Sequence, residues 1–160
     1  MMRRSGFHRA PAGQSGVGLI EVMIAVLVLS IGFLGVAALQ TRSLSMNNSS
    51  MARSMASMYS YSILDAMRAD LVNAQSGSYN GTVTASACPT TTGTLANAQL
   101  TQWCQQLGTS LGASASTTGT ITCTGSQGLC TVTVTYDDSK SESATTDTSG
   151  MQTVTTQAML

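Results

Sequence analysis

At 160 residues the chain has room for one modest domain and an extension. Only 9% of its residues are charged and 4% are aromatic, which leaves neither a basic face for nucleic acid nor an acidic tail. The formal charge is zero, and the single histidine, His8, lies in the first sixteen residues, so the rest of the chain has none, which removes most hydrolase triads and most zinc sites.

The first sixteen residues, MMRRSGFHRAPAGQSG, are basic and rich in turn formers. Arg3, Arg4 and Arg9 all lie here, and without this segment the side chains sum to −3. It reads as a cytoplasmic leader, held inside by its arginines. From Val22 to Leu39 the chain then runs without a charge. As a helix this stretch spans about 27 Å, enough to cross the hydrocarbon core of a bilayer. It is too long for an ordinary secretory segment and no small-residue cleavage site follows it, so it is expected to stay as an anchor. One carboxylate, Glu21, stands at its edge, and Gly16 lies five residues before that. In an arbitrary anchor Glu21 would be a polar residue at the headgroup boundary, but an ionisable group beside a membrane span is also a functional candidate.

Glycine, a hydrophobe, then Leu19-Ile20-Glu21 opening a long apolar helix resembles the class III signal of type IV prepilins. The resemblance implies that a membrane-embedded prepilin peptidase cuts between Gly16 and Val17 and methylates the new amine on Val17. It also implies that Glu21 acts in assembly. The residue after the cut is usually Phe and is Val17 here, and the next, usually Thr or Ser, is Gly18. The other Gly-Phe pair, Gly6-Phe7, has Pro11 where the glutamate should stand.

Beyond the apolar run the helical pattern continues. Leu44, Met51, Met55, Met58, Ile63, Met67 and Leu71 recur mostly at three- or four-residue steps and predict one buried stripe. With no proline between Pro11 and Pro89, one helix is expected from Val17 to about Asn73, roughly 85 Å long. The methionines invite a copper reading, but their helical spacing without nearby His or Cys favours packing against a sheet, and no cofactor is expected. Gly32 and Gly35 either weaken the helix or permit close approach of a neighbouring one. Val28–Gln40 and Ile63–Ala69 (ILDAMRA) look like PilV-type minor pilins, in which a Leu-Asp-x-Met-Arg segment follows the long helix.

From Gln75 to Thr94 a loop is expected, with Asn80-Gly81 as a turn that could seed a short hairpin. Leu95, Leu100, Trp103, Leu107 and Leu111 predict a short amphipathic helix ending near Gly112, with Trp103 on the sheet. Residues 119–124 and 129–136 alternate β-branched residues around Gly125–Gly128 and predict a hairpin. Asp137–Gly150 reads as a polar loop, in which Asp137, Asp138 and Glu142 lack the spacing of a calcium loop. Residues 151–157 supply a last strand.

The cysteines, Cys88, Cys104, Cys123 and Cys130, all follow the apolar run and form no CxxC. An even count behind a membrane segment favours disulfides in an oxidising compartment. Four cysteines allow three pairings; proximity favours Cys123–Cys130 across the hairpin and Cys88–Cys104 between loop and helix.

The expectation is therefore an α+β, type IV pilin-like fold: a leader 1–16, a long helix 17–73 with its membrane part at 22–39, and a head 74–160. No catalytic constellation is present. The resemblance implies a minor pilin, held in the inner membrane with its head in the periplasm until assembly into a pilus. Its partners would be the prepilin peptidase, other pilins and the inner-membrane assembly platform, with no direct nucleic acid. A type II secretion pseudopilin shares the leader. From a different class, a signal-anchored periplasmic binding protein or enzyme would make Glu21 incidental.

Overall fold

The computed structural model describes residues 16–90, 93–124, 128–139 and 150–160. The basic leader up to Ser15, the middle of the predicted hairpin turn (125–127) and most of the polar loop, with Glu142, lie outside the described residues. The chain divides into two compact units, one ending at Gln40 and the other Thr41–Leu160.

In the first unit the described chain is almost entirely helix, the N-terminal part of α1 (Leu19–Ala69). It is exposed along its length, with the composition of a membrane span. Ser30, inside the run, donates its hydroxyl proton to the Val26 carbonyl (2.7 Å), which satisfies that hydroxyl within the helix.

The second unit contains the rest of α1, a short α2 (Leu71–Gln75), β1 (Gly81–Thr84), α3 (Leu95–Leu111), β2 (Thr118–Thr124), β3 (Leu129–Asp137) and β4 (Met151–Met159). The strands form one antiparallel sheet in the order β1-β2-β3-β4. Helix and sheet enclose a single core, in which Ile63, Leu64 and Met67 of α1 meet Trp103 and Leu107 of α3 and Ile121, Val132 and Val134 of the sheet. This is the α+β, pilin-like arrangement expected from the sequence.

Strict alternation sorts the sheet residues. Ile121, Cys130, Val132, Val134 and Tyr136 point to the core, while the intervening threonines, with the exception of Thr156 opposite Val132, lie on the other face. α3 starts at Thr94, whose hydroxyl accepts the Asn97 amide hydrogen (3.2 Å), and stops at Gly112, whose positive φ of 101° favours glycine. Trp103 lies on the sheet above Gly119 and donates its indole proton to the Tyr59 carbonyl of α1 (3.0 Å).

Three expectations need correction. The methionine stripe is not the buried one. Leu44, Met51 and Met58 are 70%, 56% and 53% exposed, Leu71 is exposed too, and only Ile63 and Met67 of the seven are fully buried. The seam runs instead through Ala52, Ala56, Ser60, Ile63, Leu64 and Met67. Small residues let α3 and the sheet approach the helix backbone, and Ser60 can be buried because its hydroxyl bonds the Ala56 carbonyl (2.8 Å). Likewise Ala96, not the exposed Leu95, takes the buried place at the start of α3.

The long helix does not continue to Asn73. Asp70 leaves helical geometry (φ −124°, ψ 51°) and caps α2 instead. Its carboxylate accepts hydrogen bonds from Asn73 Nδ2 (2.7 Å) and the Tyr79 hydroxyl (3.0 Å), which reward the break.

Asn80-Gly81 does not turn a local hairpin. Gly81 opens β1, whose partner is the distant β2. Asn80 accepts the Cys123 amide hydrogen (2.8 Å) and donates to the Cys123 carbonyl (3.3 Å), so its side chain extends the ladder just before β1 begins.

Candidate functional site

The site residues singled out by the sequence stand at the beginning of α1. Gly16 and Val17 precede the helix and are exposed, and a side chain added at Gly16 would meet no atom within 4 Å. The helix is entered at Gly18, whose carbonyl accepts the amide hydrogens of Glu21 (3.0 Å) and Val22 (3.3 Å). Glu21 therefore lies in the first turn, where the unpaired N–H groups of the helix favour negative charge. Among the described residues Glu21 has no ion-pair partner.

Val17, Glu21, Val22, Ala25 and Leu29 border one shallow furrow along this helix end. The carboxylate and the peptide bond before Val17 are thus on the same end of one helix, one turn apart. Cutting after Gly16 would free an amine at Val17. That would place a cation and an anion beside an apolar face with no internal partner for packing.

In the second unit Cys88, in the loop after β1, is joined to Cys104 of α3, with Cα atoms 5.6 Å apart. Cys123 and Cys130 stand opposite each other on β2 and β3 and are joined across the ladder, Cα atoms 4.0 Å apart. The first bridge fixes a loop to a helix, and the second closes the strand ends beside the turn.

Two features escaped the sequence reading. A groove of about 560 Å³ in the second unit is bordered by Met51 and Met55 of α1, Leu111 of α3, and Tyr136 and Asp138 near the end of β3. Ser49 donates to Asp138 at 2.5 Å across one end of it. Burial, then the Asp138 charge, raises the Tyr136 hydroxyl above its ordinary pKa, with Arg53 acting in the opposite direction.

The other is a buried polar knot. Tyr79 is fully buried, with its hydroxyl against Asp70 and Gln99. Burial first, and then the hydrogen bond and charge of Asp70, raise this phenol well above its ordinary pKa. Its single proton serves Asp70, and Gln99 completes the set when its amide NH2 faces the phenol oxygen. No sequence spacing announces either feature, since their members come from separate elements. Among the described residues no three His, Cys, Asp or Glu side chains form a metal-binding group.

A family model, the prokaryotic N-terminal methylation motif, matches residues 11–37. No curated protein and no solved structure matches the chain. The matched stretch contains Gly16, Val17, Glu21 and most of the apolar run. Proteins with this leader are structural, and the motif implies processing by a prepilin peptidase and assembly with pilins. With an apolar helix of membrane length directly behind it, the leader fits an inner-membrane anchored protein. The motif and the helix-on-sheet fold together support a type IV pilin-like protein.

Proposed function

We propose that the chain is a minor pilin of a bacterial type IV pilus. The observation that carries this reading is the register of Gly16, Val17 and Glu21 at the start of an exposed apolar helix, inside the matched methylation motif. In this reading residues 1–16 are a leader removed by the prepilin peptidase, Val17 becomes an N-methylated terminus, and 22–39 spans the inner membrane. The head, with its two disulfides, faces the periplasm. The resemblance of Ile63–Ala69 to PilV-type proteins favours a pilus over a secretion pseudopilin. Such a subunit primes or modulates the filament, supporting adhesion or twitching motility.

Glu21 has a physical task in this scheme. A carboxylate toward the bilayer centre costs about 2.5–3.5 kcal/mol, less near the interface, so a plain anchor gains by losing it. In a staggered bundle the Glu21 carboxylate of one subunit meets the Val17 amine of the next. Low dielectric strengthens that attraction, and a wrong stagger leaves both charges unpaired. N-methylation keeps the amine positive, so the pair survives the modification.

One experiment tests the reading: the N-terminal mass of the protein from membranes and from sheared filaments, for the wild type and for Glu21→Val. The expected wild-type terminus is N-methyl-Val17 in both fractions. The variant should reach the membrane and be cut, yet be several-fold depleted from filaments. An intact Met1 terminus would instead identify a plain signal-anchored protein, and equal incorporation would reduce Glu21 to an interfacial residue.

A further inference from the structure

The Asn80-Gly81 step carries a chemistry that filament assembly does not use. Glycine has no Cβ to hinder its nitrogen, so in such a pair that nitrogen attacks the asparagine Cγ readily. A C–N bond closes a five-membered imide, and the side-chain amide leaves as ammonia, taking up the glycine N–H proton. Water then opens the imide at either carbonyl. One product is aspartate; the other is isoaspartate, whose backbone runs through the former side chain. Neither an enzyme nor an oxidant is required. The fold itself asks for this pair of residues. Gly81 has a φ of 146°, where a side chain would be strained, and Asn80 is exposed to water.

Both reacting atoms are nevertheless held by β2. The Ala85 N–H donates to the Thr117 carbonyl (2.9 Å), which marks those two as a bonded pair just beyond the β1–β2 register. Bonded and non-bonded pairs alternate in an antiparallel ladder, so Val83–Gly119 and Gly81–Ile121 are bonded as well. The Gly81 N–H, which must attack, is thereby committed to the Ile121 carbonyl. Next in this phase, Cys123 would face the peptide group of Tyr79. Tyr79 lies instead in a turn closed by the Asn80 N–H and the Gly77 carbonyl (2.9 Å). The Asn80 side chain stands in for it, accepting the Cys123 amide hydrogen (2.8 Å) and donating to the Cys123 carbonyl (3.3 Å). A side-chain amide offers the donor and acceptor of a peptide group, and here both go to Cys123.

Cys123 turns both backbone groups toward Asn80 and hence away from β3. Its pair with Cys130 is of the non-bonded kind, in agreement with a Cα separation of 4.0 Å. At this residue the disulfide is therefore the direct tie between β2 and β3. We propose that Asn80 is a site of spontaneous deamidation, and that the Cys123–Cys130 bridge holds it shut in the oxidised head. When the bridge is open, Cys123 moves off, the Asn80 amide is released and the imide closes. The change is one-way. The new carboxylate sets an acceptor where Nδ2 donated to the Cys123 carbonyl, so an attraction becomes a repulsion. Isoaspartate also lengthens the backbone at the start of β1. A head that lacks this bridge thus acquires a negative charge at position 80, a covalent record of incomplete oxidation that later bridge formation does not erase.

The test follows aspartate and isoaspartate at position 80 by peptide mapping, in full-length protein kept in detergent and mildly alkaline buffer. The reduced, denatured chain sets the rate of an unguarded Asn80, and the wild type should be modified many-fold more slowly. Cys123→Ser with Cys130→Ser should be modified several-fold faster than the wild type, with unchanged Trp103 fluorescence showing that the core persists. Cys88→Ser with Cys104→Ser removes the other bridge and should leave the rate near that of the wild type. Independently of any cysteine change, Asn80→Asp should speed hydrogen exchange of the Gly81 amide several-fold, because the repulsion loosens that end of the ladder. A wild type modified as fast as the denatured chain would overturn the proposal, as would a denatured chain left unmodified at Asn80. So would equal acceleration on loss of either bridge, which is global opening, or no acceleration on loss of the Cys123 bridge. Gly81 exchange unchanged in Asn80→Asp would overturn the one-way step.

Discussion

Tyr79 shows how one side chain can join distant parts of the head. Its ring is fully buried, its hydroxyl proton goes to Asp70 at the break between α1 and α2, and Gln99 of α3 lies against the same oxygen. Ionising this phenol would put an anion in an apolar site beside a carboxylate, which is why its pKa is raised. A group whose folded pKa exceeds its unfolded value contributes stability that is complete below the unfolded value, about 10 for tyrosine, and is lost as pH rises further. Tyr136 is shifted in the same direction, so the wild-type head should lose stability above about pH 10 through both groups. Tyr79→Phe should cost about 1–2 kcal/mol at pH 7 by stranding Asp70 and Gln99, and should flatten part of the alkaline decline. Urea unfolding of both proteins from pH 7 to 11 checks this, with the Tyr136 contribution common to both. A variant curve parallel to the wild type at every pH would show that the Tyr79 hydroxyl is not the group that titrates.

At the level of elements, the head depends on close approach. Trp103 touches three of them: it belongs to α3, bonds the backbone of α1, and covers Gly119 of β2. A Cβ at Gly119 would fall 2.4 Å from the indole ring and 2.8 Å from Leu107. Gly119→Ala should therefore destabilise the head by about 1–3 kcal/mol, with the Trp103 emission shifted, as overpacking in a filled core does. Denaturant unfolding followed by tryptophan fluorescence measures it, and a stability equal to wild type would mean the ring has room to move aside. The same contact explains what the sequence could and could not disclose. Period-two alternation made β2, β3 and β4 legible, and the heptad-like recurrence made both long helices legible. The phase of the buried seam on α1 was not, because methionine outranks alanine and serine on any hydrophobic scale. Burial there goes to the residues that are small, Ala52, Ala56 and Ser60, which let the packed elements come close to the helix backbone. Asn80 was misread for a related reason. Asn-Gly signals a turn locally, whereas its amide here completes a ladder with Cys123, a partner that local sequence does not reveal. Of the candidate site, Gly16, Val17 and Glu21 could be singled out from the sequence because their spacing is local. The groove beside Met51 and the Tyr79 knot were not, because each is assembled from three elements.

The two units of the whole molecule differ in what they ask of their surroundings. The described part of the first buries nothing within itself: its valines, leucines and isoleucines are exposed, and their stability must come from lipid or from other helices. The second is self-sufficient. Among the described residues the hydrophobic core lies at or beyond Ala52, both disulfides lie at or beyond Cys88, and the unit begins at Thr41. A boundary at Gln40 thus severs a helix without removing one core contact. The fragment 41–160 should fold alone, because the turns of α1 that it retains carry the whole seam from Ala52 to Met67. Its unfolding free energy should lie within about 1 kcal/mol of the head transition in the full chain, because no residue of the described core cluster lies before Ala52. The lost membrane half should alter solubility and leave Trp103 in its native environment. Thermal unfolding of the fragment in buffer, and of the full chain in detergent, monitored by near-ultraviolet circular dichroism, makes the comparison. A fragment with far-ultraviolet signal but no fixed aromatic signal would contradict this, and would mean that the residues before Thr41 hold α1 in the helical state that the core requires. Agreement between the two transitions would separate the roles: the head folds on its own contacts, and the apolar helix is left free to exchange one apolar environment for another.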